Sequence, residues 1–155
     1  VQTTAPSYQT TSCHHFTWIK EVLELKNKID VGESTIIGDN VIYGQDVSIG
    51  EFCVIGDNVV FGDFVKVGNY CEIHNDCRIG DSSTLGSRCI LRKGVKINDR
   101  VHVGPHAVIQ PLITMETNSI LKSMSVLLDD VEAHEVWDGI PAIMVRLIKG
   151  SEIIV

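Results

Sequence analysis

From Val31 through Leu127, every sixth residue is Val, Ile, Leu, Tyr, Phe or Met, without a miss. The beat opens Val31, Ile37, Tyr43, Ile49, Ile55 and Phe61 and closes Ile109, Met115, Leu121 and Leu127. Four residues after each beat comes a small or β-branched side chain, including Thr35, Val47, Cys53, Cys71, Cys77, Ser83, Cys89 and Val131. Glycine follows most beats, as at Gly32, Gly38, Gly50, Gly56, Gly68, Gly86 and Gly104. A helix needs apolar spacing near 3.6 and a flat strand a spacing of two. A strict six therefore fits only short strand pieces separated by regular turns.

The spacing predicts an all-β parallel solenoid. Each hexad is one short strand and its corner, with the large aliphatic and the small residue both inward. Glycine is expected to take a corner backbone conformation that a side chain would hinder. Three hexads close a triangular coil, so residues eighteen apart stack. About six coils at ~4.8 Å per strand spacing give a prism roughly 29 Å tall.

The repeats are expected over residues 30–131. Residues 1–16, rich in Thr, Gln and Ser, read as a flexible lead. Over residues 17–29, Trp18, Val22, Leu25 and Ile29 recur at helical spacing. That predicts a helix capping the open apolar end and unpaired strand edges of the first coil. Residues 132–155 form a C-terminal extension.

The net charge is −7. Phosphate neutralisation needs a basic surface, so nucleic-acid binding is disfavoured, and binding to anionic membranes with it. No apolar run approaches the ~20 residues of a spanning helix, so membrane insertion is not expected and a cytoplasmic location is. Cys53, Cys71, Cys77 and Cys89 fall in the small inward register, where Cys acts as a small hydrophobe. They are expected to be buried and reduced, and Cys13 lies outside the repeats.

With its hexads and its ending, Asp130-Val131 followed by Gly139-Ile140-Pro141-Ala142, the chain resembles the hexapeptide-repeat acyltransferases, closest to the sugar N- and O-acetyltransferases. The resemblance implies a left-handed parallel β-helix, an exception to the usual right-handed parallel crossover. It further implies acetyl-CoA as co-substrate, a sugar or nucleotide-linked sugar as acceptor, and a homotrimer with active sites at subunit boundaries. Where that family has Lys or Arg directly after Pro-Ala, this chain has Ile143, and Arg146 is the nearest basic residue for a CoA contact. The beat runs unbroken, so the long extruded loop of the antibiotic and serine acetyltransferase branches is missing, and a loop-borne histidine with it.

Sorting the hexads by corner yields the candidate site. In one column Gly38 and Gly56 give way to His74, Arg92 and Gln110, each eighteen residues apart. Acyl transfer from a thioester requires a proton to leave the attacking amine or hydroxyl, and histidine suits that role near neutrality. The stretch His74-Asn75-Asp76-Cys77-Arg78-Ile79-Gly80 resembles the family's His-Asp-Cys-x-Ile-Gly, with one residue more between His and Cys. His74 is thus the expected base, Asp76 the residue that orients it or faces water, and His106 the second candidate. Arg88, Arg92, Lys93, Lys96 and Arg100 gather against the single acid Asp99. That concentration suits the phosphates of CoA or a nucleotide sugar, with Arg92, Lys93 and Gln110 as cofactor contacts.

Two other functions fit a β-helix. Gamma-class carbonic anhydrases hold a zinc-like ion by three histidines. Here His74 and His102 are not separated by whole coils, so no metal site is expected. The other alternative is a non-catalytic assembly module of a larger protein.

Overall fold

The computed structural model describes residues 28–150. Seventeen two-residue strands, from Asp30–Val31 to Val126–Leu127, wind through three parallel sheets. Each strand pairs with the one eighteen residues on: Asp30 lies opposite Ser48, Glu72 opposite Ile90, and Lys96 opposite Thr114. The sheets are the faces of a triangular prism of about six coils. The first face carries Asp30–Val31, the second Ile36–Ile37 and the third Ile42–Tyr43. The first corner joins the first and second faces, the second corner the second and third, and the third corner returns to the first face.

The inward register is the expected one. Ile49, Ile55, Phe61, Ile73, Leu85, Leu91 and Leu121 are buried, as are the small residues Val47, Val59, Val95 and Ala107 between them. Cys53, Cys71, Cys77 and Cys89 are free and buried. Burial pushes the Cys77 thiol up to about 11, which leaves little thiolate at neutral pH. Buried hydroxyls are satisfied locally: Ser83 donates to the Asn98 carbonyl at 2.7 Å and accepts from the Val101 amide at 3.1 Å. Only the lowest coil departs from this burial. Ile37, a beat residue, is 39% exposed, because among the described residues no coil lies beneath it. The expected lead over 1–16 lies outside the described residues. So does the expected helix over 17–29 except its last two residues, where Lys28 takes a φ of 45°.

Glycine has a different task from the one expected of it. The left-handed backbone falls not on the post-beat glycines but two residues later, on side chains such as Asn58 (φ 57°), Tyr70 (φ 58°) and Asp76 (φ 63°). The post-beat position is crowded instead. A Cβ on Gly56 would come within 2.7 Å of the Asn75 amide nitrogen of the coil above. The Asn75 Oδ1 that accepts from the Asp57 amide at 2.9 Å fills the same space. Glycine is held there by close approach of successive coils, not by its conformational freedom.

Asp130 Oδ1 accepts from the Thr114 amide at 2.8 Å, and Val131 bridges to Met115. Strands Glu135–Gly139 and Ala142–Leu147 form an antiparallel hairpin, joined through a cis Ile140–Pro141 bond, which extends the first face beside Ile120–Leu121. Among the described residues no helix is long and apolar enough to cross a membrane.

Candidate active site at the second corner

His74, Arg92 and Gln110 stack as the spacing requires. The His74 amide donates to the Leu91 carbonyl at 2.9 Å, and the Arg92 amide donates to that of Ile109 at 3.0 Å. Above Gly38 and Gly56 stand Asp57 and Asn75, whose oxygens cap the amides below. Above His74 the equivalent residue is Lys93, which offers no such oxygen. The third corner behaves alike: glycine gives way to Asn98 and Glu116, which bond each other at 2.6 Å. What sets the second corner apart is therefore its chemistry.

The carboxylate beside His74 is Glu72, not Asp76. Glu72 points outward from strand Glu72–Ile73, and its Oε2 lies 3.7 Å from His74 Nε2. The imidazole, 39% exposed, is open to a ligand and lies beside a carboxylate. Asp76 shares the corner but engages other partners. It pairs with Lys93 Nζ at 3.8 Å and accepts from Asn58 Nδ2 at 3.3 Å.

The basic run does not form one patch. Arg88 stands on the first corner, 5.0 Å over the Tyr70 ring, which stacks on Phe52. Arg100 stands on the third corner, its Nε donating to Asn118 Oδ1 at 2.8 Å. Arg92 and Lys93 remain on the corner of His74. Two cations from the adjoining third face join them: Lys96 and Arg78, register partners on its outer side. Arg78 was missed as a member of this positive patch because the patch follows the eighteen-residue stacking and not the sequence run. Glu72 was missed because it is an outward strand residue, and its relation to His74 shows only once the faces are assigned.

His106 belongs to the first corner with a φ of 61°, separated from His74 by the whole second face. Arg146 lies on the hairpin opposite Val136, away from the second corner. Among the described residues no group of three or more His, Cys, Asp or Glu side chains is placed to hold a metal ion. His102 stands on the first face, beside a cavity of about 300 Å³ beneath the hairpin.

Comparison with known proteins agrees with this architecture. The family model described as bacterial transferase hexapeptide (six repeats) matches residues 46–78 and 76–111. No curated protein sequence matches the chain. Among solved structures, PerB from Caulobacter crescentus, in complex with CoA and GDP-perosamine, superposes with a TM-score of 0.75 at 21% identity, covering 83% of this chain and 66% of that one. The acetyltransferase domain of PglB from Neisseria gonorrhoeae gives 0.76 at 17%, covering 85% and 64%. AntD, an N-acyltransferase from Bacillus cereus in complex with dTDP and 3-hydroxybutyryl-CoA, gives 0.74 at 15%, covering 84% and 88%. The chain thus spans just under two thirds of the first two of these proteins, and at such identities the likeness establishes the shared fold. The unbroken beat, the triangular coils and the hexapeptide model matching across residues 46–111 thus agree on one fold, a parallel β-solenoid built of six-residue repeats.

Proposed function

We propose that the protein transfers an acetyl group from acetyl-CoA directly to an amino or hydroxyl group of a nucleotide-linked sugar. The observation that carries this reading is the second corner, where an accessible imidazole with a carboxylate partner stands next to four cations. Its support is the fold shared with PerB and AntD, whose structures hold CoA or an acyl-CoA with a nucleotide or nucleotide sugar. His74 takes the proton as the acceptor attacks the thioester carbonyl. Glu72 stabilises the imidazolium that forms, and the CoA thiol leaves as the tetrahedral intermediate collapses. Arg78, Arg92, Lys93 and Lys96 offer charge-assisted bonds to phosphate, and Gln110 offers an amide. Arg146 is not part of this set. Release of free thiol from acetyl-CoA, measured with a panel of nucleotide-linked amino and hydroxy sugars, tests the proposal. Release that depends on one acceptor class is expected, and a purified, folded protein that releases none with any of them refutes it.

Arg92→Ala should raise KM for acetyl-CoA roughly fivefold, about 1 kcal/mol, with kcat little changed, because an exposed guanidinium in a solvated groove contributes at the low end for such bonds. A drop in kcat at unchanged KM would place Arg92 against the reacting atoms instead.

The proposed enzyme is a homotrimer. Along the outer side of the second face run Ile36, Val54, Glu72, Ile90, Val108 and Val126 in register, five of them aliphatic. Ile36 is 67% exposed and Val54 46%. An aliphatic strip of this length on one face favours burial against another copy, and that His74 follows directly on that face supports a site at the subunit boundary. Light scattering at micromolar concentration is expected to give three times the chain mass of 17.1 kDa. A monomer would remove both the trimer and the shared site.

A further inference from the structure

Acetyl transfer at the second corner leaves unused the cavity on the first face. Its walls are His102, Gly104, Ile120, Lys122, Ser123 and Asp138. The hairpin builds it: strand Glu135–Gly139 pairs with Ile120–Leu121, so that Asp138 meets Lys122, with Oδ2 and Nζ 3.6 Å apart. Ser125 Oγ donates to the other carboxylate oxygen of Asp138 at 3.4 Å. His102 lies opposite Ile120 in the adjacent coil.

The imidazole of His102 is unusual in this molecule. Its Nδ1 is buried and meets no hydrogen-bond partner. Burial lowers its pKa below the ordinary histidine value, so the ring is neutral at pH 7. An orphaned N–H inside a wall costs more than an orphaned lone pair. The single ring proton therefore resides on Nε2, and the imidazole acts toward the cavity as a neutral donor. The remaining groups are complementary in kind. Lys122 and Ser123 donate, Asp138 and Ser123 accept, Ile120 supplies an apolar wall, and the charges of Lys122 and Asp138 cancel.

We propose that this cavity is a binding site for an uncharged polyhydroxylated ligand, a single sugar ring whose hydroxyls meet His102, Lys122, Ser123 and Asp138 and whose C–H face rests on Ile120. A phosphate or carboxylate fits less well, because Asp138 already neutralises Lys122 and would repel a second anion. The volume stands at the lower end of small-molecule pockets, roughly 300–1,000 Å³, which suits one ring and not a nucleotide sugar. The site is on a different face from His74, so it is independent of the proposed transferase activity.

Histidine ring resonances of the full-length protein, with the His102 signal assigned by its loss in His102→Gln, report binding directly. Methyl glucoside, methyl galactoside, methyl mannoside and inorganic phosphate are the probes, each taken to about 100 mM, where sites of a few polar contacts saturate. At least one glycoside is expected to shift the His102 signal saturably while the His74 and His106 signals stay in place. Ile120→Trp, which fills the cavity, and Asp138→Asn, which removes its acceptor charge, should each weaken that response at least tenfold with the remaining histidine signals unchanged. No saturable shift with any glycoside overturns the proposal, as does an undiminished response in Ile120→Trp. A stronger response to phosphate than to all three glycosides overturns the ligand class.

Discussion

His74→Ala is expected to lower turnover by about 10² to 10⁴, with the fold and the affinity for acetyl-CoA nearly unchanged, as for loss of a general base. The side chain packs against no core residue: the inward positions beside it are Ile73 and Cys77, both buried, while His74 stands on the corner with its ring partly in solvent. Alanine removes the proton acceptor and leaves the coil intact, since the corner already holds the Cβ of His74. Glu72→Gln should cost far less. At 3.7 Å its carboxylate acts through charge on an imidazolium that it does not hold by a hydrogen bond. The pair of variants separates the base from the group that steadies it, and Arg92→Ala separates both from binding. Near-normal turnover in His74→Ala, measured with the true acceptor, would move the base elsewhere, and His106 on the first corner would be the next residue to replace.

What the sequence disclosed follows from which constraints are periodic. Every inward position repeats at six because each face of the triangle buries the same two side chains, so Phe61, Cys71 and Leu121 could be assigned to the core from spacing alone. The stacking of His74, Arg92 and Gln110 followed from the same count. Features fixed by a contact between coils were hidden. Glycine marks close approach and not a left-handed turn, which became visible only when Asn75 was found capping Asp57 over Gly56. Arg88, Arg92 and Arg100 are neighbours in sequence yet occupy three corners, since four to eight residues carry the chain around the prism and not along it. The hairpin, lying outside the beat, offered only Gly139 and Pro141 as turn signals, and nothing in its spacing announced the pairing with Ile120–Leu121.

Phe61→Ala should destabilise the protein by about 3–5 kcal/mol, the usual cost of emptying a buried aromatic site. Phe61 is 1% exposed, and its ring stacks on Tyr43 one coil below at 5.6 Å between centroids. Neither coil can collapse into the space, because backbone bonds such as Gly44 amide to Phe61 carbonyl, 2.8 Å, fix the separation of the strands. Val60→Ala, on the same two-residue strand, makes the comparison decisive. Its side chain points outward on the third face, so its loss should cost less than about 1 kcal/mol. In a strand of two residues a register slip of one would exchange these values, because it would turn Val60 inward and Phe61 out. Urea unfolding of the two variants therefore measures the register itself. A larger loss for Val60→Ala than for Phe61→Ala would invert the faces of the coil, and with them the outward direction of Glu72 and the position of His74 at the second corner.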